Sequence, residues 1–277
     1  PLVSVITPIG LDHINFLGNT LGKIAYEKAG IIKENCPVVI HPQNEEAGEV
    51  IERISDEKHS QLYVASVDSI KIKKFDEFGI EFDVECFDNI YKSLRTSLIG
   101  KHQANNAVVA LTTIEVLKSC HKIKISNKSI YDGILNTKWP GRLEVLRRNP
   151  TLLIDGAHNL HGAKALRNAL KEIFYNKKII GVIGILEDKD VDGILSEIVP
   201  LCDTIIATKP NNPRALSLEK LIVKIKEYNR EVVGFEKIRC AVDKSLSLAD
   251  KDDLVLFCGS LYMIGKVRSI LMKKVGE

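Results

Sequence analysis

The chain has 277 residues, 45% hydrophobic and 27% charged, which is the composition of an ordinary soluble globular protein with room for two domains of about 100–150 residues each. Its formal net charge of +3 comes from lysines spread along the chain with no basic block, which argues against a nucleic-acid partner. Six scattered cysteines with no Cys-x-x-Cys pair argue against a disulfide frame or zinc site and fit reduced thiols in the cytoplasm, and the longest apolar run, residues 179–186, is far too short to cross a bilayer.

Residues 2–7 form a short β-branched run that reads as a buried strand ended by Pro8 and Gly10. Burial on both faces fits a parallel sheet, whose ligands sit beyond the carboxyl ends of the strands, where Asp12 and His13 fall. Thr20 predicts an N-cap for a helix over residues 21–29, with Gly30 as its stop. Residues 38–40 read as a second strand and 45–58 as an amphipathic helix. From about 61 to 99 the pattern alternates apolar and polar, and residues 62–65, 70–72, 80–84 and 91–94 read as antiparallel strands. A helix opens at Gly100-Lys101-His102-Gln103 and runs to about Lys118, and Ser126 caps another that ends near Leu135.

Residues 136–150, carrying Trp139-Pro140-Gly141-Arg142, are the best connector. Regular αβ alternation follows, with strands at 151–154, 179–185, 204–207, 231–234 and 254–258. This predicts an open, mostly parallel sheet with helices on both faces. The organisation expected is a first domain over 1–138, a linker over 139–150 and a second domain over 151–277. The opening strand finds too few sheet neighbours in the chain, so the first part reads as the second half of a larger α/β domain.

Taken residue by residue, the motifs leave two readings open. His13 alone suits a hydrogen-bonded loop histidine, and Lys28 a snorkelling surface lysine. Asp155-Gly156-Ala157-His158-Asn159 ends a strand and starts a helix, a corner that favours phosphate through free N–H groups, or a helix cap made by Asp155 or Asn159. Arg142 projects from a Pro-Gly turn that could serve only as a hinge. Asn105 and Asn106 open a surface helix, and Gly259-Ser260 is a common helix entry.

Five separated blocks in order give these residues a context: Gly10-Leu11-Asp12-His13 with Glu27-Lys28-Ala29-Gly30, then Gly100 to Ala107, Trp139 to Glu144, Leu153 to Asn159, and Cys258 to Gly265. Together they resemble the folylpolyglutamate synthase / dihydrofolate synthase family, a branch of the Mur ligases. The resemblance implies an α/β fold: the C-terminal part of a Mur-ligase-type central ATPase domain, then a Rossmann-like domain. It implies an ATP-dependent amide ligase that joins L-glutamate to dihydropteroate or a folate polyglutamate through an acyl phosphate. His13 and a carbamylated Lys28 would be Mg²⁺ ligands. A carbamate suits that hard cation, whereas a histidine is a less usual ligand and rests on the resemblance alone. Lys28 and His158 would serve catalysis, Asn106, Arg142 and Asp155 would hold ATP, and Ser260 would meet the incoming amino acid. Arg suits phosphate because its planar fork donates two bonds at once. Leu160 stands where the family usually has proline, which changes the helix start more than the chemistry. The Gly184–Asp190 and Pro210–Ala215 segments also match family blocks, with Arg214 at a possible substrate edge.

No Gly-x-x-x-x-Gly-Lys-[Ser/Thr] phosphate loop occurs in the chain. Set beside the family, these residues are expected to be about the C-terminal two-thirds of such an enzyme, inactive alone, from a cytoplasmic monomer with no membrane or nucleic-acid partner. The competing readings are a cell-wall ligase acting on UDP-muramoyl substrates, a non-catalytic fragment or binding module, and a chain in which every motif is merely a cap or turn.

Overall fold

The computed structural model describes residues 1–10, 20–228 and 231–275. The chain divides into two compact units, one of Pro1–Ser97 with Lys101–Thr137 and one of Leu98–Gly100 with Lys138–Glu277.

In the first unit β1 (Ser4–Ile6), β2 (Val38–Ile40) and β3 (Leu62–Val64) form a parallel sheet in sequence order. The expectation that residues 62–65 begin an antiparallel set is corrected here, since Leu62 pairs with Val38 and Val64 with Ile40 in parallel. A three-residue alternation carries no direction. The helix that intervenes between β2 and β3 brings the chain back to the same end and makes the pairing parallel. Helix α1 (Leu21–Ala29) starts at Thr20, whose hydroxyl accepts the Lys23 N–H at 3.2 Å. Helix α2 (Glu45–Glu57) starts at Asn44, whose side chain accepts the Glu46 N–H at 3.1 Å. Their apolar stripes, with Ala25, Ala29, Ala47 and Ile51, cover Val38 and Ile40.

Val39 faces the other way, into a core with Phe82, Leu94, Val108 and Leu111. That core is built by an antiparallel meander of β4 (Lys71–Asp76), β5 (Gly79–Cys86) and β6 (Asn89–Thr96) against helix α3 (Lys101–His121). Helix α4 (Asn127–Leu135) follows, with the Ser126 hydroxyl accepting the Ser129 N–H at 3.1 Å. One carboxylate is buried here. Glu115 on α3 accepts the Tyr91 hydroxyl at 2.7 Å, the Asn89 amide at 3.1 Å and the Lys118 ammonium at 2.7 Å.

The second unit is a six-stranded sheet in the order β11-β10-β9-β12-β8-β7. Its strands are β7 (Glu144–Arg148), β8 (Thr151–Ile154), β9 (Ile179–Ile183), β10 (Thr204–Thr208), β11 (Val232–Phe235) and β12 (Leu254–Cys258). All pairings are parallel except β7 with β8, so the stretch read as a connector contributes an edge strand. The central strands β8, β9 and β12 are buried at every position. Alternation sorts their side chains between two cores. Leu153, Ile183, Ile205 and Leu256 pack on α5 (Leu160–Ile173), α6 (Val191–Ile198) and α7 (Leu218–Lys226). Ile154, Val182, Ile206 and Phe257 pack on α8 (Ile238–Leu248) and α9 (Leu261–Val275). This is a Rossmann-like layering, with the apolar β runs hidden on both faces. No helix among the described residues is long and apolar enough to cross a membrane.

Burial, reinforced by the bond to Glu115, raises the Tyr91 phenol well above its ordinary value. The unfolded chain therefore loses this proton first, and stability should decline as pH rises above about 10. Denaturant titrations at about pH 9 and pH 11 should show that decline in the parent and a shallower one in Tyr91→Phe. An identical slope in both would show that Tyr91 is not the group responsible.

Candidate functional site

In the first unit, Lys28 lies in the last turn of α1, where its charge complements the helix dipole. Its neighbours Ala25 and Ala29 are buried, while Lys28 itself is exposed and forms no ion pair with another described residue. The amine is therefore open to solvent and to small reagents. His13, with Leu11 and Asp12, lies outside the described residues. No group of three or more His, Cys, Asp or Glu side chains among the described residues could hold a metal ion. At the start of α3, Asn106 is exposed and donates its amide to Gln103 Oε1 at 3.0 Å. Gln103 is buried and its amide nitrogen lies 3.1 Å from the His102 ring. One end of the Asn106 amide is thus held in place and the other is left for a ligand.

The second unit gathers more. Asp155 follows β8, only 6% exposed, and uses both carboxylate oxygens on backbone donors. One accepts the Leu143 N–H at 2.9 Å and the other the Ala157 N–H at 2.8 Å. The Gly156 N–H donates to the Gly141 carbonyl at 2.7 Å, so the turn bearing Arg142 is stitched to the end of β8 by consecutive residues. Of the two residues that sequence offered as a helix cap, Asn159 does the capping, accepting the Gly162 N–H at 2.8 Å. Asp155 is instead a clamp between two loops. Burial pushes its carboxyl above the ordinary range, while the two N–H bonds and the charges of Arg142 and His158 pull it back.

Arg142 is exposed, and its guanidinium enters no ion pair with a described residue. His158 is half-buried, with Nδ1 2.8 Å from the Gly156 carbonyl. A carbonyl can only accept, so Nδ1 carries the proton and Nε2 is the nitrogen left for chemistry. Ser260 precedes α9, and its carbonyl accepts the Met263 and Ile264 N–H groups at 3.1 and 3.0 Å. Its hydroxyl is fully buried with no hydrogen-bond partner. A buried hydroxyl left unpaired costs about 1–3 kcal/mol, which marks this as a position where a ligand atom would be welcome. Arg214 is bound to Asp188 at 2.8 Å, which ties together the loops after β9 and β10.

Sequence reasoning missed Glu144 as a positioning residue. Its carboxylate accepts the Gly141 N–H at 2.8 Å and is gripped by Arg268 of α9 at 3.0–3.1 Å, a pair 124 residues apart. Glu144 was visible within its motif, but nothing local in the sequence announces a partner so distant.

Comparison with known proteins supplies a context for this arrangement. The chain matches the Mur ligase middle domain over residues 1–114 and the Mur ligase glutamate ligase domain over residues 141–261. It is 35% identical to a dihydrofolate synthase/folylpolyglutamate synthase of Bacillus subtilis over 98% of this chain and 63% of that one. A protein of the same name from Mycobacterium tuberculosis is 34% identical over 90% of this chain and 53% of that one. Among solved structures, M. tuberculosis folylpolyglutamate synthase complexed with ADP and AMPPCP superposes with a TM-score of 0.85 at 32% identity, covering 97% of this chain and 63% of that one. E. coli FolC in complex with DHPP and ADP gives 0.84 at 27% identity, with 98% and 62% covered. The chain thus spans less than two thirds of the length of these relatives.

The corner before α9 depends on one glycine. Gly259 has φ +108°, and a Cβ there would meet the Gly184 carbonyl oxygen at 2.7 Å. Gly259→Ala should therefore destabilise by about 2–4 kcal/mol. Gly265, inside α9 with open space around it, should gain about 0.5–1 kcal/mol as Gly265→Ala. Thermal unfolding of both variants checks the contrast, and equal shifts would refute it.

Proposed function

This chain belongs to the Mur ligase family, and from that premise we propose that the protein it forms part of is an ATP-dependent ligase joining L-glutamate to folate, as folylpolyglutamate synthase, dihydrofolate synthase or both. The observation that carries the reading is the corner after β8, where one buried carboxylate ties an arginine-bearing turn to the loop that carries His158. The substrate carboxylate would attack the γ-phosphorus of ATP, giving an acyl phosphate and releasing ADP. The glutamate amine would then attack the acyl carbon, form the amide and expel phosphate. Such transfers are driven by alignment and charge neutralisation rather than by covalent help from the protein.

We assign the roles accordingly. Arg142 offers its unspent guanidinium fork to the phosphates. Asp155 holds the turn that carries Arg142 and would meet the nucleotide. Asn106 offers its free amide end to the adenosine portion. His158, with Nδ1 occupied, presents Nε2 toward the transferring phosphate and the amine proton. The unpaired Ser260 hydroxyl would receive the incoming glutamate. Lys28, exposed and in no ion pair among the described residues, is open to carbamylation: the ammonium gives one proton to water, the neutral amine nitrogen bonds the carbon of CO₂ as one C=O π bond opens, and a second proton leaves, so that a cation becomes an anionic oxygen donor. The carbamate and His13 would hold Mg²⁺, which neutralises phosphate charge when bound. The same reading makes the enzyme a cytoplasmic monomer.

The test is L-glutamate-dependent ADP release by the full-length protein with dihydropteroate, tetrahydrofolate or a UDP-muramoyl peptide precursor. Release with either pterin substrate is expected, and release with the UDP-linked substrate alone would overturn the folate reading. Arg142→Ala and His158→Ala should each lower kcat by about 100-fold or more. A ¹³C carbamate resonance from labelled bicarbonate should be present in the parent and absent in Lys28→Ala.

A further inference from the structure

A second concave surface in the C-terminal unit is untouched by the roles above. A cleft of about 660 Å³ opens between the loop after β10, the β11–α8 turn and the outer face of α9. Lys209, Lys237, Arg239, Lys266 and Lys273 line it, against a single carboxylate, Glu236. None of the five cations is in an ion pair with a described residue, whereas other lysines and arginines of the same unit are held in close pairs, such as Lys220–Glu187 at 2.6 Å and Lys224–Asp192 at 2.6 Å. The cleft is therefore a concentration of positive charge with one carboxylate in its lining. Helix α8 adds to it, because its N-cap position is Lys237, which supplies no side-chain acceptor to the first turn.

We infer that this cleft binds a linear polycarboxylate, specifically the oligo-γ-glutamate chain that grows on the folate, and so makes affinity rise with tail length. The inference rests on the ligase reading above, and three observations favour this ligand over a compact anion. The cations come from three separate elements instead of converging on one point. Lys266 and Lys273 lie two helical turns apart, about 10 Å along α9. A γ-linked chain carries one α-carboxylate per repeat, spaced roughly 6 Å when extended, so two or three repeats match that span. Four of the five are lysines, mobile point charges that pair with carboxylates without demanding the forked geometry that fixes a phosphate. That tolerance suits a ligand whose length changes with each turnover. The cleft also borders α9, the helix that begins beside Ser260.

The experiment titrates this 277-residue chain, without ATP, with L-glutamate, γ-linked triglutamate, γ-linked pentaglutamate and inorganic tripolyphosphate at low salt, followed by calorimetry. Affinity should rise at least about tenfold from glutamate to pentaglutamate, and should fall as salt shortens the reach of the charges. Lys237→Gln/Lys266→Gln, both exposed positions, should weaken pentaglutamate binding about fivefold or more with the melting temperature unchanged. Glu236→Gln should strengthen it. Length-independent binding, binding that survives the double substitution, or tighter binding of tripolyphosphate than of any glutamate chain would overturn the inference. Glutamate-dependent ADP release by the full-length protein is read separately. Its presence without length-dependent peptide binding sinks the cleft alone, and its absence with such binding sinks the ligase reading.

Discussion

The arrangement depends on the two hydrogen bonds that the Asp155 carboxylate accepts from Leu143 and Ala157. They join a turn built on Gly141 to a loop leaving the sheet, and with the Gly156–Gly141 bond they fix where Arg142 and His158 can be. The same burial that makes the clamp rigid favours the neutral acid. With its folded-state value raised, Asp155 helps stability most at acid pH and progressively less as pH rises through the raised value. The clamp is therefore a compromise: burying the carboxyl is costly, and the two N–H bonds it accepts fix the turn and loop that it joins. Glu144 and Arg268 secure the same turn from α9, a second fastening that does not rely on a buried charge.

What makes such a clamp possible is the sheet beneath it. Strands β8, β9 and β12 are buried on both faces, so their carboxyl ends are held from every side by α5 to α9. The chain must leave each of these strands in little space. After β8 a Cβ at Gly156 would come within 2.4 Å of Leu261, and after β12 Gly259 takes a conformation that L side chains rarely adopt. The corners are therefore close to one another, and residues just past them share one neighbourhood. Asp155 illustrates this, since its N–H donates to the Phe257 carbonyl near the end of β12 at 3.0 Å. Ligands in open α/β sheets bind at such ends because this is where rigid strands deliver loop residues with little freedom.

Much of this was legible in the sequence, and the exceptions have physical causes. The Thr20 and Ser126 caps, the meander and five of the six strands of the second sheet followed from side-chain periodicity and from hydroxyls at helix starts. The direction of β3 did not, because three alternating residues carry no orientation and the intervening helix decides it. Glu144–Arg148 was read as connector because Pro140 and Gly141 dominate the pattern just before it, and its pairing with β8 depends on a strand that follows only three residues later. Asp155 looked like a cap because strand–Asp–Gly sequences often are one. Only the three-dimensional position of Leu143 makes it a clamp. The long-range pair of Glu144 and Arg268 could not be read at all, since charge pairs form where the fold brings them and not where sequence spacing suggests.

The two units spend buried charge differently, and that contrast bears on what each does. In the first, Glu115 accepts from the side chains of Tyr91, Asn89 and Lys118, and the network ties α3 to the meander. Removing one partner of such a group exposes the others to an unsatisfied interior, so its natural role is to specify a single packing. In the second, Asp155 takes its bonds from backbone alone and leaves the Arg142 guanidinium and the Nε2 of His158 without a partner carboxylate. A structural network saturates its cations; a binding site withholds them. By that criterion the Arg142 turn at the corner after β8 and the lysine-lined cleft beside α9 are two places in the second unit where described cations are left without a close carboxylate partner.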